Sequence, residues 1–230
     1  MPDQFEPATS RVKMKRGANR AVYDPAQIRA ILAAGHLAHV GVSTEHGPIV
    51  LPMAYGVRGG VGDATGSGGE ILIHGSVANA MLRAGRDLDV CVTVTIVDGL
   101  VVARSPFHNS MNYRSVVVRG TATAIVDPAD KVAALKVIND HIAPIWDTAR
   151  PPNETDLKQT LVLALPLTEA SAKVRDGAPI DDEDDLDGPH WAGVVPLTAT
   201  WGQPIADPDL RGAPDQPAAV TALTGTDAHR

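Results

Sequence analysis

Three short segments of the chain hold residue types that can do chemistry. The first is ILIHGSVANAMLRAG, residues 71–85. It reads as a strand that ends at His74 and Gly75 and delivers Ser76 as the N-cap of a short helix over 77–84. The first amides of such a helix lack internal partners and sit at its positive end, so they attract an anion. Asn79 and Arg83 lie four residues apart on one helix face, and Arg83 offers a guanidinium fork to a phosphate. The same spacing also fits an ordinary capped helix with a surface arginine. The second segment is SPFHNSMNYRSVVVRG, residues 105–120. It crowds His108, Asn109, Ser110, Asn112, Tyr113, Arg114 and Ser115 between two strands. That is either a loop ordered by a partner or a plain surface hairpin. The third is PHWAGVVPL, residues 189–197, where Trp191 either stacks on a planar ring or lids the core.

Single histidines need separate weighing. His74 follows EILI, so one imidazole at the end of an apolar strand could serve as a haem axial ligand. His36 and His39 are three apart, as metal pairs on helices are, but they straddle a helix end and a strand start. No metal site is expected. The one cysteine, Cys91, sits in VCVTVTIV and reads as a small buried hydrophobe.

The surrounding pattern indicates what must position these residues. Asp24-Pro25 opens a helix with Ile28, Ile31 and Leu32 on one face and Gly35 as its stop. Residues 37–43, 48–57 and 70–74 read as strands, and 59–69 as a glycine-rich surface loop. Residues 88–97 and 100–104 flank Asp98-Gly99, a strong hairpin signal. Residues 114–126 read as a long strand, with Gly120 a candidate bulge. Asp127-Pro128 opens a second helix whose apolar face is Val132, Leu135, Ile138, Ile142 and Ile145. Residues 160–169 and 191–198 read as further strands. Strands grouped in hairpins, with few helices, predict an α+β fold, mainly β: an antiparallel barrel or sandwich with peripheral helices. The segment GVGDATG matches neither a dinucleotide fingerprint nor a P-loop.

The chain has 230 residues, 44% of them hydrophobic and 3% aromatic. It is long enough to bury a core without disulfide or metal staples, and that core must be aliphatic. The net charge of −7 is local. Residues 176–189 contain seven acids and no Lys or Arg, while the rest of the chain balances 20 acids against 20 bases. The acidic run lacks the grammar of a calcium loop and reads as a solvated connector. The balanced remainder gives no reason to expect nucleic-acid binding, and nothing resembles a membrane span or secretory signal. A cytoplasmic protein is expected. The expected organisation is an arm over 1–20, a domain over 21–201 and a loose Pro/Ala-rich tail over 202–230.

IHGSVANAMLRAG, VDGLVVARSPFHNSMNYRSVVVRG, SAKVRDGAPIDD and WAGVVPL occur in that order. Together they resemble the pyridoxamine 5′-phosphate oxidase-like, FMN-binding split-barrel superfamily, in its nitroimidazole-resistance (Nim-type) branch. The resemblance covers about residues 14–208. It implies a six-stranded antiparallel split β-barrel and a homodimer with two FMN sites between subunits. By motif, Pro52 and Met53 would line the isoalloxazine. His74, Gly75 and Ser76 would contact the flavin or its ribityl chain, and Arg83 its phosphate. Asn112, Tyr113, Arg114 and Ser115 would lie at the interface site, and Trp191 would cover the ring. The implied function is an FMN-dependent oxidoreductase using NADH or NADPH to reduce a small planar nitro-aromatic or quinone. A haem protein on the same barrel, with His74 as axial ligand, and a non-catalytic flavin-binding module are the alternatives. The Arg-x-His substrate motif of true pyridoxamine-phosphate oxidases is absent from the sequence.

Overall fold

The computed structural model describes residues 5–60, 69–79, 87, 89–212 and 214–229. Its strands are β1 (Ala21–Val22), β2 (Ala38–Thr44), β3 (Gly47–Met53), β4 (Tyr55–Arg58), β5 (Glu70–Ser76), β6 (Asp89–Val102), β7 (Ser110–Thr121), β8 (Thr123–Ala124), β9 (Thr160–Pro166), β10 (Ala170–Arg175) and β11 (Gly193–Pro196). They form two antiparallel sheets. The larger has the order β1-β10-β7-β6-β2-β3, with β11 added to β6; the smaller has the order β4-β5-β9-β8. The sheets do not close on each other, as in a split barrel. Ala54 lies where the chain passes from β3, at the edge of one sheet, into β4, at the edge of the other.

Both Asp-Pro signals start helices. In α1 (Pro25–Ala34) the Asp24 carboxylate accepts the Ala26 amide at 3.0 Å. In α2 (Pro128–Asn139) Asp127 accepts the Asp130 amide at 2.8 Å. The buried face of α1 (Ile28, Ile31 and Leu32) joins Val92, Val94, Val116 and Leu163 in the main core between the sheets. On the outer side of the smaller sheet, Leu72, Val162 and Ala164 pack under Ala134 and Ile138 of α2. Gly56 permits this contact, because a Cβ there would lie 2.8–2.9 Å from backbone atoms of Val137 and Ile138.

Several expectations are corrected. Asp98-Gly99 is not a hairpin turn. β6 runs straight through it with a register shift between Val97 and Gly99. The Asp98 carboxylate takes Arg114 Nη2 at 2.8 Å and Nε at 3.0 Å. Gly99 gives β11 room, since a Cβ would meet the Val195 carbonyl at 2.8 Å. The expected strand 114–126 begins earlier, at Ser110, so the polar residues 110–113 are strand, not loop. The expected strand 48–57 divides into β3 and β4 around Ala54. α2 ends at Asn139, so Ile142 and Ile145 fall beyond it. β10 and the short helix α3 (Glu154–Gln159) were not foreseen. The stretch after Trp201 is not loose: Trp201 N–H donates to Thr226 O, Gly225 N–H to Trp201 O, and α4 (Ala218–Leu223) lies between. The acidic run is mostly exposed but tethered, with Asp181 accepting the Arg104 amide at 2.8 Å and its guanidinium at 2.9 Å. Of the helix expected over 77–84, residues 77–79 are a turn after β5, with Asn79 N–H donating to Ser76 O at 2.9 Å, and the rest lies outside the described residues, as does most of the glycine-rich loop 59–69. Among the described residues, no helix is long and apolar enough to cross a membrane.

Candidate functional site

His74 sits on β5, opposite Val162 of β9. Side chains two apart on a strand share a face, so His74 continues the row that begins with buried Leu72. Where α2 stops covering that row, a cavity of about 520 Å³ opens, within the usual range for ligand pockets of about 300–1,000 Å³. His74 and Thr160 line its sheet wall, and Ala54 borders it from the β3–β4 junction. Leu135, Ile138, Ile142 and Trp146 supply apolar walls, and Arg150 and Asp156 also line it.

The loop between α2 and α3 that carries Trp146 and Arg150 is tied down locally. Trp146 N–H donates to Asp140 at 2.7 Å, and Lys136 Nζ bridges Asp140 at 2.8 Å and Asp147 at 3.0 Å. Asn153 and Asp156 form a reciprocal capping box at the start of α3, and Arg150 pairs with Asp156 at 2.7 Å.

The electrostatics centre on His74. Its Nδ1 is buried without a hydrogen-bond partner. Burial pushes the imidazole below its ordinary titration range. It is therefore neutral near pH 7, the form that can donate a lone pair to a metal. A buried polar atom normally finds a partner, so an orphaned imidazole nitrogen beside an apolar cavity calls for an explanation.

The other residues singled out by sequence are spread more widely. Gly75 and Ser76 end β5 beside His74, and the exposed Ser76 hydroxyl accepts the Ala78 amide at 3.1 Å. Arg83 lies outside the described residues. Pro52 and Met53 are neighbours on opposite faces of β3: Pro52 is exposed opposite His39, and Met53 belongs to the main core. Alternation along β7 likewise turns Tyr113 and Ser115 to one face and Asn112 and Arg114 to the other. Asn112 is buried and takes a hydrogen bond from Arg175, while Arg114 is engaged by Asp98. Trp191 is 65% exposed, with its ring against Gly193, where a Cβ would meet Cζ2 at 2.7 Å.

Trp146, Arg150 and Asp156 were not anticipated from the sequence. The available signal was a rare tryptophan just before Arg150-Pro151-Pro152, in a stretch where the apolar helix pattern had been extended too far.

A family model described as pyridoxamine 5′-phosphate oxidase matches residues 24–174. Two solved structures match nearly the whole chain. The flavocytochrome Anf3 of Azotobacter vinelandii is 35% identical over 96% of this chain and 100% of its own, with a TM-score of 0.87. An FAD and haem binding protein of Mycobacterium smegmatis is 32% identical over 92% of this chain and 100% of its own, with a TM-score of 0.82. A candidate 5-nitroimidazole antibiotic resistance protein of Bacteroides thetaiotaomicron shares the fold at 22% identity, covering 67% of this chain and 86% of its own, with a TM-score of 0.52. No protein of curated function matches. The family match spans most of the chain and the split sheets agree with it: the chain belongs to the pyridoxamine 5′-phosphate oxidase family.

Proposed function

We propose that this protein is a flavin- and haem-binding redox protein, with haem held in the cavity at His74. The observation that carries this reading is a neutral His74 lining a cavity walled by Leu135, Ile138, Ile142 and Trp146. A haem needs an imidazole and an apolar slot, and these residues fit both needs. The two relatives that match over nearly full length support it, one being a flavocytochrome and the other an FAD and haem binding protein.

Flavin exchanges hydride equivalents for single electrons and haem iron carries single electrons, which is the chemistry the pair would supply. The protein's own contribution is binding and orientation. His74 would hold the haem, and Trp146 with the α2 side chains would keep water from it. Gly75, Ser76, Tyr113, Ser115 and Pro52 remain the proposed flavin contacts, with Arg83 on its phosphate and Trp191 over the ring. The relatives' names favour FAD where the motifs favoured FMN, and chromatography of the released cofactor distinguishes the two. Reduction of a nitro-aromatic or quinone by NADH or NADPH is the activity to assay.

A homodimer belongs to the same reading. On one face of the larger sheet, Val50, Gly41 and Cys91 are cross-strand neighbours, as are Met111, Leu100 and Val195. The last three are all exposed. Small and apolar side chains on an uncovered sheet face suit a second copy of this chain.

The test is an absorbance spectrum of the purified, reconstituted protein. Flavin bands together with an intense haem Soret band are expected. Flavin bands with no haem uptake would leave only the flavin half standing.

A further inference from the structure

The His74 cavity is uneven in polarity. Its sheet wall ends in a neutral imidazole, its sides are apolar, and a single guanidinium, Arg150, stands among its described lining residues. The Arg150 side chain is 67% exposed, so it lies where the cavity meets solvent. Its partner is Asp156, which lines the same cavity and also serves the α3 capping box. An exposed ion pair of this kind contributes little to stability, so a better-placed carboxylate can displace it at small cost.

We propose that Arg150 is the carboxylate anchor of this cavity. Resting on the haem reading above, it would hold a haem propionate at the solvent end while His74 faces the iron. The arrangement suits an amphiphilic planar ligand with a carboxylate edge: apolar rings contact Leu135, Ile138 and Trp146, and the acid edge meets the one cation. Arg150 is a positioning residue here. Asp156 is its internal competitor, occupying the guanidinium whenever the ligand is absent.

The experiment titrates protohaem, and separately its dimethyl ester, into the parent protein, Arg150→Gln and Asp156→Asn, reading Soret absorbance. Arg150→Gln should weaken protohaem by about twofold to fivefold, the range for an exposed charge pair. It should leave the ester, which has no carboxylates, nearly unchanged. Asp156→Asn frees Arg150 while its amide oxygen can still accept the Asn153 amide, so protohaem should bind as tightly or more tightly. Equal protohaem affinity in the parent and Arg150→Gln would overturn the inference while leaving the haem site intact. Equal losses in both variants, for acid and ester alike, would overturn it by showing that the pair only braces α3. A parent protein that binds neither form would overturn the haem reading and this inference together.

Discussion

At the scale of residues, His74 and His36 are both histidines kept neutral by burial, but their settings differ. His74 has an orphaned nitrogen and a cavity. Replacing it with Ala should abolish the Soret band on reconstitution while flavin absorption persists, because a flavin rests on many contacts and losing one costs about 0.5–1.5 kcal/mol. Loss of both cofactors would mark His74 as structural. His36 instead contacts the rings of Trp201, at 5.3 Å, and His229, at 5.2 Å. Burial, then the nearby His229 and His141, lower its titration. His141 is lowered chiefly by burial and lies with its Nε2 2.8 Å from the Gly35 carbonyl. The sign follows directly. Below about pH 6.5 an unfolded imidazole takes a proton that the folded one refuses. Stability is therefore full above that pH and falls as pH drops toward the depressed folded values. Melting temperature should decrease between pH 7.5 and 5.5, and less so in His36→Gln. A melting temperature that holds or rises on acidification would contradict this account.

At the scale of elements, close approach decides more than propensity does. Gly56 lets α2 lie against β4, and the same helix contributes Leu135 and Ile138 to the cavity. Gly56→Ala should destabilise the protein by about 1–3 kcal/mol, the range for overpacking. Chemical denaturation would show it as a lowered midpoint with an unchanged slope. Both helices that begin with Asp-Pro were legible in the sequence because capping is a local interaction. So was the antiparallel, mainly β character. Asp98-Gly99 was misread because its two residues serve non-local partners, an arginine on β7 and the backbone of β11. The polar run 110–113 was taken for loop because two-sided strand residues hide their alternation when both faces carry polar groups. His74 and its neighbours could be singled out from sequence. The far wall with Trp146, Arg150 and Asp156 could not, since it forms only when α2 ends at Asn139, nearly two turns before the Ile145 that its apolar spacing reaches.

At the scale of the whole molecule, the uncovered face of the larger sheet and the 24.1 kDa chain mass frame one expectation. Sedimentation at micromolar concentration should give about twice that mass, and Leu100→Lys, in the exposed row, should shift it toward one chain. A single-chain mass for the reconstituted parent would remove the dimer from the proposed function. The strand that organises this sheet is β6. It pairs with β7 along most of its length, and its other edge is divided: residues 90–94 pair with β2, residues 99–102 with β11. Deuterium labelling would thus read the two ends of the chain from one strand. In each group the alternate amides that point away from β7 exchange when the cover on that side opens: the β2–β3 hairpin for the first, the segment beyond the acidic run for the second. The register shift at Asp98 marks the border between the two reporters.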